Sequence, residues 1–258
     1  MNAKLLPLLA SLPLLLLPIA TPAAVVLVAA PTLAQTAPPS NPEADAWDLL
    51  QQGFQQVNTG QAQAAFETFQ QALSLFQETG DRQGEAYALV GIGSVYEAVG
   101  RYQDALSSYQ NALPMLVEAG DRAVEGVTFH NIGLVYSNLG RYEQALTTYE
   151  QALAIRTEVG DRAGEGITLT GIGLVYRSLG RNEQALATYE EALAILIEVG
   201  DRRGEGVTLN NISAVYAALG RYEQALATYE QALAIRTEVG DRAGVGKPSL
   251  VLAWCIAT

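Results

Sequence analysis

His130 is the only histidine in the chain, and Cys255 is the only cysteine. Imidazole and thiol are the usual starting points for a metal centre or a nucleophile–base pair, and either chemistry needs partners. There is no second histidine, and Cys255 lies in the last residues of the chain with no thiol to join in a disulfide. His130 therefore reads as a surface-lining side chain able to titrate near neutral pH. The stretch GVGKPS at 244–249 brushes against a phosphate-binding loop, which requires Gly, four residues, then Gly-Lys-Ser/Thr. Asp241 stands where the first Gly belongs, and Pro248 stands where the hydroxyl belongs. Glu158, Arg162 and Glu165 bring carboxylates and a cation together, but at spacings of three and four, as on a solvated helix face. No catalytic residue, cofactor site or metal site is expected.

Any site must instead be positioned by a repeat. Residues 161–200 recur as 201–240 with 28 of 40 positions identical. Weaker copies occupy 121–160 and 81–120, and a degenerate one runs over 41–80. A fixed period of this size marks a stacked-repeat protein. His130 has Val90, Thr170 and Asn210 as its counterparts, so no local catalytic setting repeats.

Glycine falls every twenty residues from Gly60 to Gly240. Gly adopts the left-handed conformation that commonly ends a helix, so each unit predicts two helices, A and B. Over 142–159 the apolar residues Tyr142, Ala145, Leu146, Tyr149, Ala152 and Leu153 fall on one face of a B helix. Helix A differs. Asp161 is placed to cap it, and Gly164, Gly166, Gly171 and Gly173 lie inside it. Each interior Gly lowers helix stability by roughly 0.5–1 kcal/mol relative to Ala, so packing must hold this helix. Alanine at Gly164 or Gly171 is expected to stabilise it unless the glycine packs against a B helix. Small residues at Gly93, Gly133, Gly173 and Ser213 would let helix B approach closely.

The order Ile132, Gly133, Tyr136, Gly140, Tyr142, Ala145, Tyr149, Ala152 resembles the tetratricopeptide repeat. The forty-residue period with GDR at the joint resembles the longer variant found in the spindle-orientation adaptor LGN, in kinesin light chain and in exported bacterial repeat proteins. The resemblance implies an all-α fold, a right-handed α-solenoid, with five repeats over 47–240. It also implies that the A helices line a concave groove for a peptide or helix of a protein partner. The positions facing that groove are Val90, His130, Thr170 and Asn210, then Ser94, Leu134, Leu174 and Ala214, then Glu97, Ser137 and Arg177. Asn131 and Asn211 match an Asn that can grip a ligand's backbone, while Gly91 and Gly171 interrupt that ladder.

The ends read differently. Residues 1–34 carry one charge, Lys4, followed by an uncharged run with the form of a secretory signal peptide. The alternative is an uncleaved membrane anchor, since the run exceeds the roughly 20 residues needed to span. Residues 35–46 are a Pro-rich linker expected to be disordered. Residues 241–258 begin a sixth repeat and then abandon its pattern. The whole chain carries a net charge of −12, and losing Lys4 with residues 1–34 takes it to −13. Such a chain has no electrostatic route to nucleic acid and favours a neutral or basic partner. The reading is an exported, non-enzymatic protein-binding scaffold. The alternatives are the accessory arm of a truncated enzyme with a protease-like domain lost, or self-association through near-identical repeats.

Units that touch only their neighbours can be removed from an end. Deleting residues 201–258 should leave a folded, shorter array, and circular dichroism should retain a helical spectrum with a cooperative melt. Loss of helical signal would contradict the repeat reading.

Overall fold

The computed structural model describes residues 42–241. Among these residues ten helices follow one another, with no strand. They pair as α1 (Pro42–Asn58) with α2 (Ala62–Thr79), α3 (Arg82–Ala98) with α4 (Tyr102–Ala119), and α5 (Arg122–Asn138) with α6 (Tyr142–Val159). The last pairs are α7 (Arg162–Ser178) with α8 (Asn182–Glu198), and α9 (Arg202–Ala218) with α10 (Tyr222–Glu238). Odd helices are the A helices and even ones the B helices. The signal-peptide reading, the linker up to residue 41 and the tail beyond Asp241 lie outside the described residues. Residues 42–46, expected in the linker, are helical instead. Pro42 suits a first helical position, and Glu43 and Asp45 suit the first turn. Trp47 then anchors the helix, edge-on to Phe76 at 5.1 Å and to Tyr87 at 5.6 Å.

Every twentieth residue from Gly60 to Gly240 has a positive φ, between 67° and 76°. The αL glycine turns the chain so that the next residue can close the helix just finished. Asp161 shows the device in full. Its N–H donates to Arg156 O at 2.8 Å, ending α6, while its Oδ1 accepts from Gly164 N at 2.9 Å, starting α7. Asp81, Asp121 and Asp201 cap α3, α5 and α9 in the same way.

A second joint element is an arginine in the first turn of helix A. Arg162 reaches Glu165 in its own helix and Glu198 in the last turn of α8. Arg122 and Arg202 repeat the pattern with Glu158 and Glu238. The solvated-face reading of these charges therefore holds only in part. Glu158 is exposed, but Glu165 is buried at 5% exposure, because the arginine folds back over it.

The units are held together by one ring each. Tyr149 of α6 is 1% exposed and lies between two glycines, Gly133 of its own A helix and Gly171 of the next. A Cβ at Gly133 would come within 2.7 Å of the ring, and one at Gly171 within 2.8 Å. Tyr109 and Tyr189 are wedged against Gly93 and Gly173 in the same manner, and Phe69 lies between Gly53 and Gly91. Above Tyr109 and Tyr189 the second glycine is replaced by Asn131 and Asn211. The expected gain from alanine at Gly171 is thus overturned, because Gly171 packs against a B helix. A Cβ at Gly164 would require the ends of the Asp161 and Arg156 side chains to shift. Where Val124 takes the equivalent place, the Asp121 carboxylate still caps the helix through Oδ1, and its Oδ2 accepts from Gln83 and Tyr87 of the preceding A helix.

Each A helix packs on its own B helix, on the preceding B helix and on the A helices of adjoining units. The result is an α-solenoid whose buried core forms a series of clusters along its length, linked by the half-buried Tyr136, Tyr176 and Leu193.

The wedge makes a graded prediction. Overpacking a core position typically destabilises by about 1–3 kcal/mol, more than the roughly 1 kcal/mol gained in helix propensity. Gly173→Ala gives Tyr189 a Cβ on both sides, whereas Gly133→Ala leaves Gly171 open beside Tyr149. Both variants should melt below the parent, Gly173→Ala lower than Gly133→Ala. A raised melting temperature for Gly173→Ala would contradict the wedge.

Candidate partner-binding groove

Along each A helix, one face carries a run of half-covered positions. In α5 these are Val127, His130, Asn131, Leu134 and Ser137, spaced three and four apart, while Phe129 and Tyr136 are half-covered on the opposite side. Val124, Thr128, Ile132 and Val135 on the other side are buried. The same half-buried stripe recurs in α7 as Ile167, Thr170, Gly171, Leu174 and Arg177, and in α9 as Asn210, Asn211 and Ala214. The three half-buried stripes lie side by side on adjoining A helices, and this face is the candidate trough.

At α3 the trough narrows to the last turn of the helix, where Glu97 stays half-covered. Val90 has no exposure, and Ser94 is 8% exposed. Both are corrected from groove residues to core residues. Val90 is part of the apolar cluster of the first units, which also holds Leu50, Phe54 and Phe69. The Ser94 hydroxyl turns inward, donating to Val90 O at 3.0 Å and lying 3.3 Å from Tyr109 Oη.

His130 and Thr170 have a second duty. His130 Nδ1 lies 3.3 Å from Thr168 Oγ1, and Thr170 Oγ1 lies 3.0 Å from Thr208 Oγ1. These are rungs between successive A helices. The His130 ring also tilts against Tyr149 at 5.3 Å. Burial, reinforced by the nearby Arg156 charge, holds its pKa well below the ordinary 6.5. The expectation that His130 titrates near neutrality is overturned: it stays uncharged there. Arg156 is itself 6% exposed, facing Asp161 at 3.9 Å, and burial lowers its pKa too.

The floor of the trough was not foreseen. Tyr109 and Tyr189 carry their hydroxyls through the wedge to its underside. Tyr109 Oη donates to Glu97 Oε2 at 3.0 Å and lies within reach of the Asn131 amide. The Asn131 amide therefore meets the Tyr109 hydroxyl as well as the open face. Tyr189 Oη is enclosed without a hydrogen-bond partner among the described residues. Burial raises its pKa to about 12, and Arg177 pulls in the opposite direction. The signal was present in the sequence, since Tyr109, Tyr149 and Tyr189 recur with the period, but an aromatic at that spacing reads as core.

Glu97 is the group most perturbed for its chemistry. Burial raises its carboxyl pKa from 4.5 to about 7, with the Tyr109 hydrogen bond opposing. The folded chain then holds this proton more tightly than the unfolded chain. Stability from this group should be present below pH 4.5 and fade as pH rises through 7. Glu97→Gln removes the fading. Its melting temperature should match the parent near pH 4 and exceed it by several degrees near pH 8. Equal melting temperatures at both pH values would show the carboxyl to be unperturbed.

No group of His, Cys, Asp and Glu among the described residues could hold a metal ion. No described helix is long and apolar enough to cross a membrane.

A family model described as tetratricopeptide repeat matches residues 49–116, 125–198, 183–238 and 204–255. No curated protein matches the chain. Among solved structures, BtubC (BKLC) from P. vanneervenii is similar at 20% identity and a TM-score of 0.57, over 77% of this chain and 91% of that one. A putative kinesin light chain with nearly identical TPR-like repeats from Podosopora anserina is similar at 17% identity and 0.60, over 77% and 98%. A Rap protein complexed with competence and sporulation factor is similar at 17% identity and 0.70, over 76% of this chain and 55% of that one. At these identities the likeness concerns the fold. The matched residues, the glycine-ended helix pairs and the ring wedged between units agree: this chain belongs to the tetratricopeptide repeat family.

Proposed function

We propose that the chain is a non-catalytic scaffold that holds a peptide or helix of a partner protein in the trough lined by α5, α7 and α9. The observation that carries this reading is the stripe repeated on three adjacent A helices and left half-exposed among the described residues. Its composition suits the role. Leu134, Leu174 and Ala214 offer apolar contact, and Ser137, Asn210 and Asn211 offer hydrogen bonds. The structure of a Rap protein complexed with competence and sporulation factor lends analogy for an array of this fold carrying a ligand.

An enzyme reading finds little support. The only histidine is committed to an inter-unit contact. A surface depression lined by Phe66, Tyr96, Val99 and Arg101 measures about 110 Å³, below the roughly 300 Å³ at which small-molecule sites begin. The uncharged run over 5–34 supports export of the scaffold, with the repeats acting outside the cytoplasm.

Leu134 and Leu174 occupy the same place in neighbouring stripes, so charges there act on the trough floor together. Leu134→Glu combined with Leu174→Glu should abolish capture of partner proteins by the immobilised chain. Helical circular dichroism and cooperative melting should persist. Undiminished capture by the folded double variant would place the binding surface elsewhere.

A further inference from the structure

The charges of the trough follow a direction. Glu97, Ser137, Arg177 and Ala217 hold the same place in the last turns of α3, α5, α7 and α9, and so form one row across the array. The row begins with a carboxyl group and reaches a cation two units later. Neither has an ion-pair partner among the described residues. Glu97 accepts from the Tyr109 hydroxyl and meets no cation among the described residues. Glu85, Glu125, Glu165 and Glu205 are also buried, but each has an arginine three residues earlier. Arg177 is the reverse case. Arg122, Arg156, Arg202 and Arg236, which are buried or half-buried, each face a carboxylate. Arg177 is half-buried and faces none among the described residues. Beneath it is the enclosed, unpartnered hydroxyl of Tyr189, close enough to feel its charge.

A half-desolvated charge without a partner is left to be completed by a ligand, and charge-assisted hydrogen bonds are about twice as strong as neutral ones. Taking the peptide-binding reading of the trough as its basis, we propose that this row sets the direction and register of an extended peptide. A lysine or arginine side chain meets Glu97, and an aspartate, a glutamate or a C-terminal carboxylate meets Arg177. The spacing follows from the helices between them. Successive A helices touch directly through His130–Thr168 and Thr170–Thr208, so their axes lie roughly 8–10 Å apart. Two such steps span roughly 16–20 Å, which an extended chain covers in about five or six residues at roughly 3.3 Å each. Ser137 lies midway along the row, and Leu134 and Leu174 flank it on the same stripes, so small or apolar residues fit between the two charges.

The acidic surface alone predicts something different. A net charge of −12 attracts basic segments anywhere, with no call for an acid at a set distance. The row demands both charges and the interval.

Selection from a display library of random peptides of about a dozen residues, on the full-length chain, separates these cases. Enriched peptides should carry a basic and an acidic group about five or six residues apart in one order. Selection on Glu97→Gln should lose the basic position and keep the acidic one, and selection on Arg177→Gln should do the reverse. For one enriched peptide, each variant should weaken binding about tenfold or more. Replacing the matching peptide residue by Ala should cancel that loss. Peptides that bind the parent but not Leu134→Glu with Leu174→Glu, and that show no charge pair, would overturn the register and leave the trough standing. Basic peptides with no acidic position and no response to Arg177→Gln would reduce the effect to net charge and overturn it as well. An unenriched library would sink the peptide-binding reading and the register with it.

Discussion

The array depends on an aromatic ring from each B helix that fills the space between two A helices. Tyr149 illustrates the constraint, since its ring has no room for a Cβ at Gly133 or Gly171. The glycines that weaken helix A in isolation are the ones that admit the ring. Roughly 0.5–1 kcal/mol of lost helix propensity per glycine is offset by burial of a ring, and burying a large side chain contributes about 1.5–3 kcal/mol. Local preference and packing disagree here, and packing prevails. The ring also fixes the distance between neighbouring A helices, and with it the width of the trough.

Around the wedge, the joints set the angles. One aspartate closes the helix before it through its backbone and opens the helix after it through its carboxylate. One arginine ties the start of helix A to the end of its own helix B. Arg181 and Arg221 link successive B helices on the outer surface through Glu143 and Glu183. These surface pairs are individually weak. Their effect is geometric: each unit is oriented on the next by local contacts alone, and the trough inherits its regularity from them.

Where the units differ, the trough acquires chemistry. His130 stands among Val90, Thr170 and Asn210, and it bridges to the next A helix without a charge. Glu97 and Arg177 stand in a row whose other members are Ser137 and Ala217. In an array of near-identical units, only such departures can tell one end of a ligand from the other. An anion at a helix C-terminal turn is opposed by the helix dipole and a cation there is favoured, so Glu97 is the less comfortable of the two.

Much of this was legible in the residues. The period, the αL glycines, the capping aspartates and the close approach at Gly93, Gly133 and Gly173 are local or periodic features, and a linear pattern records them directly. The groove face was legible as positions with a spacing of three and four. Its contents were not. Val90 and Ser94 have the same place in the pattern as half-exposed counterparts, yet they are buried. Glu165 reads as a surface charge, yet Arg162 folds over it. Gly171 reads as replaceable, yet it faces the Tyr149 ring of the preceding unit. What the sequence determined by itself was the architecture, because helix period and helix ends are written within one unit. What only the tertiary structure decided was which side chains remain unpartnered, because that depends on atoms contributed by neighbouring units across the wedge.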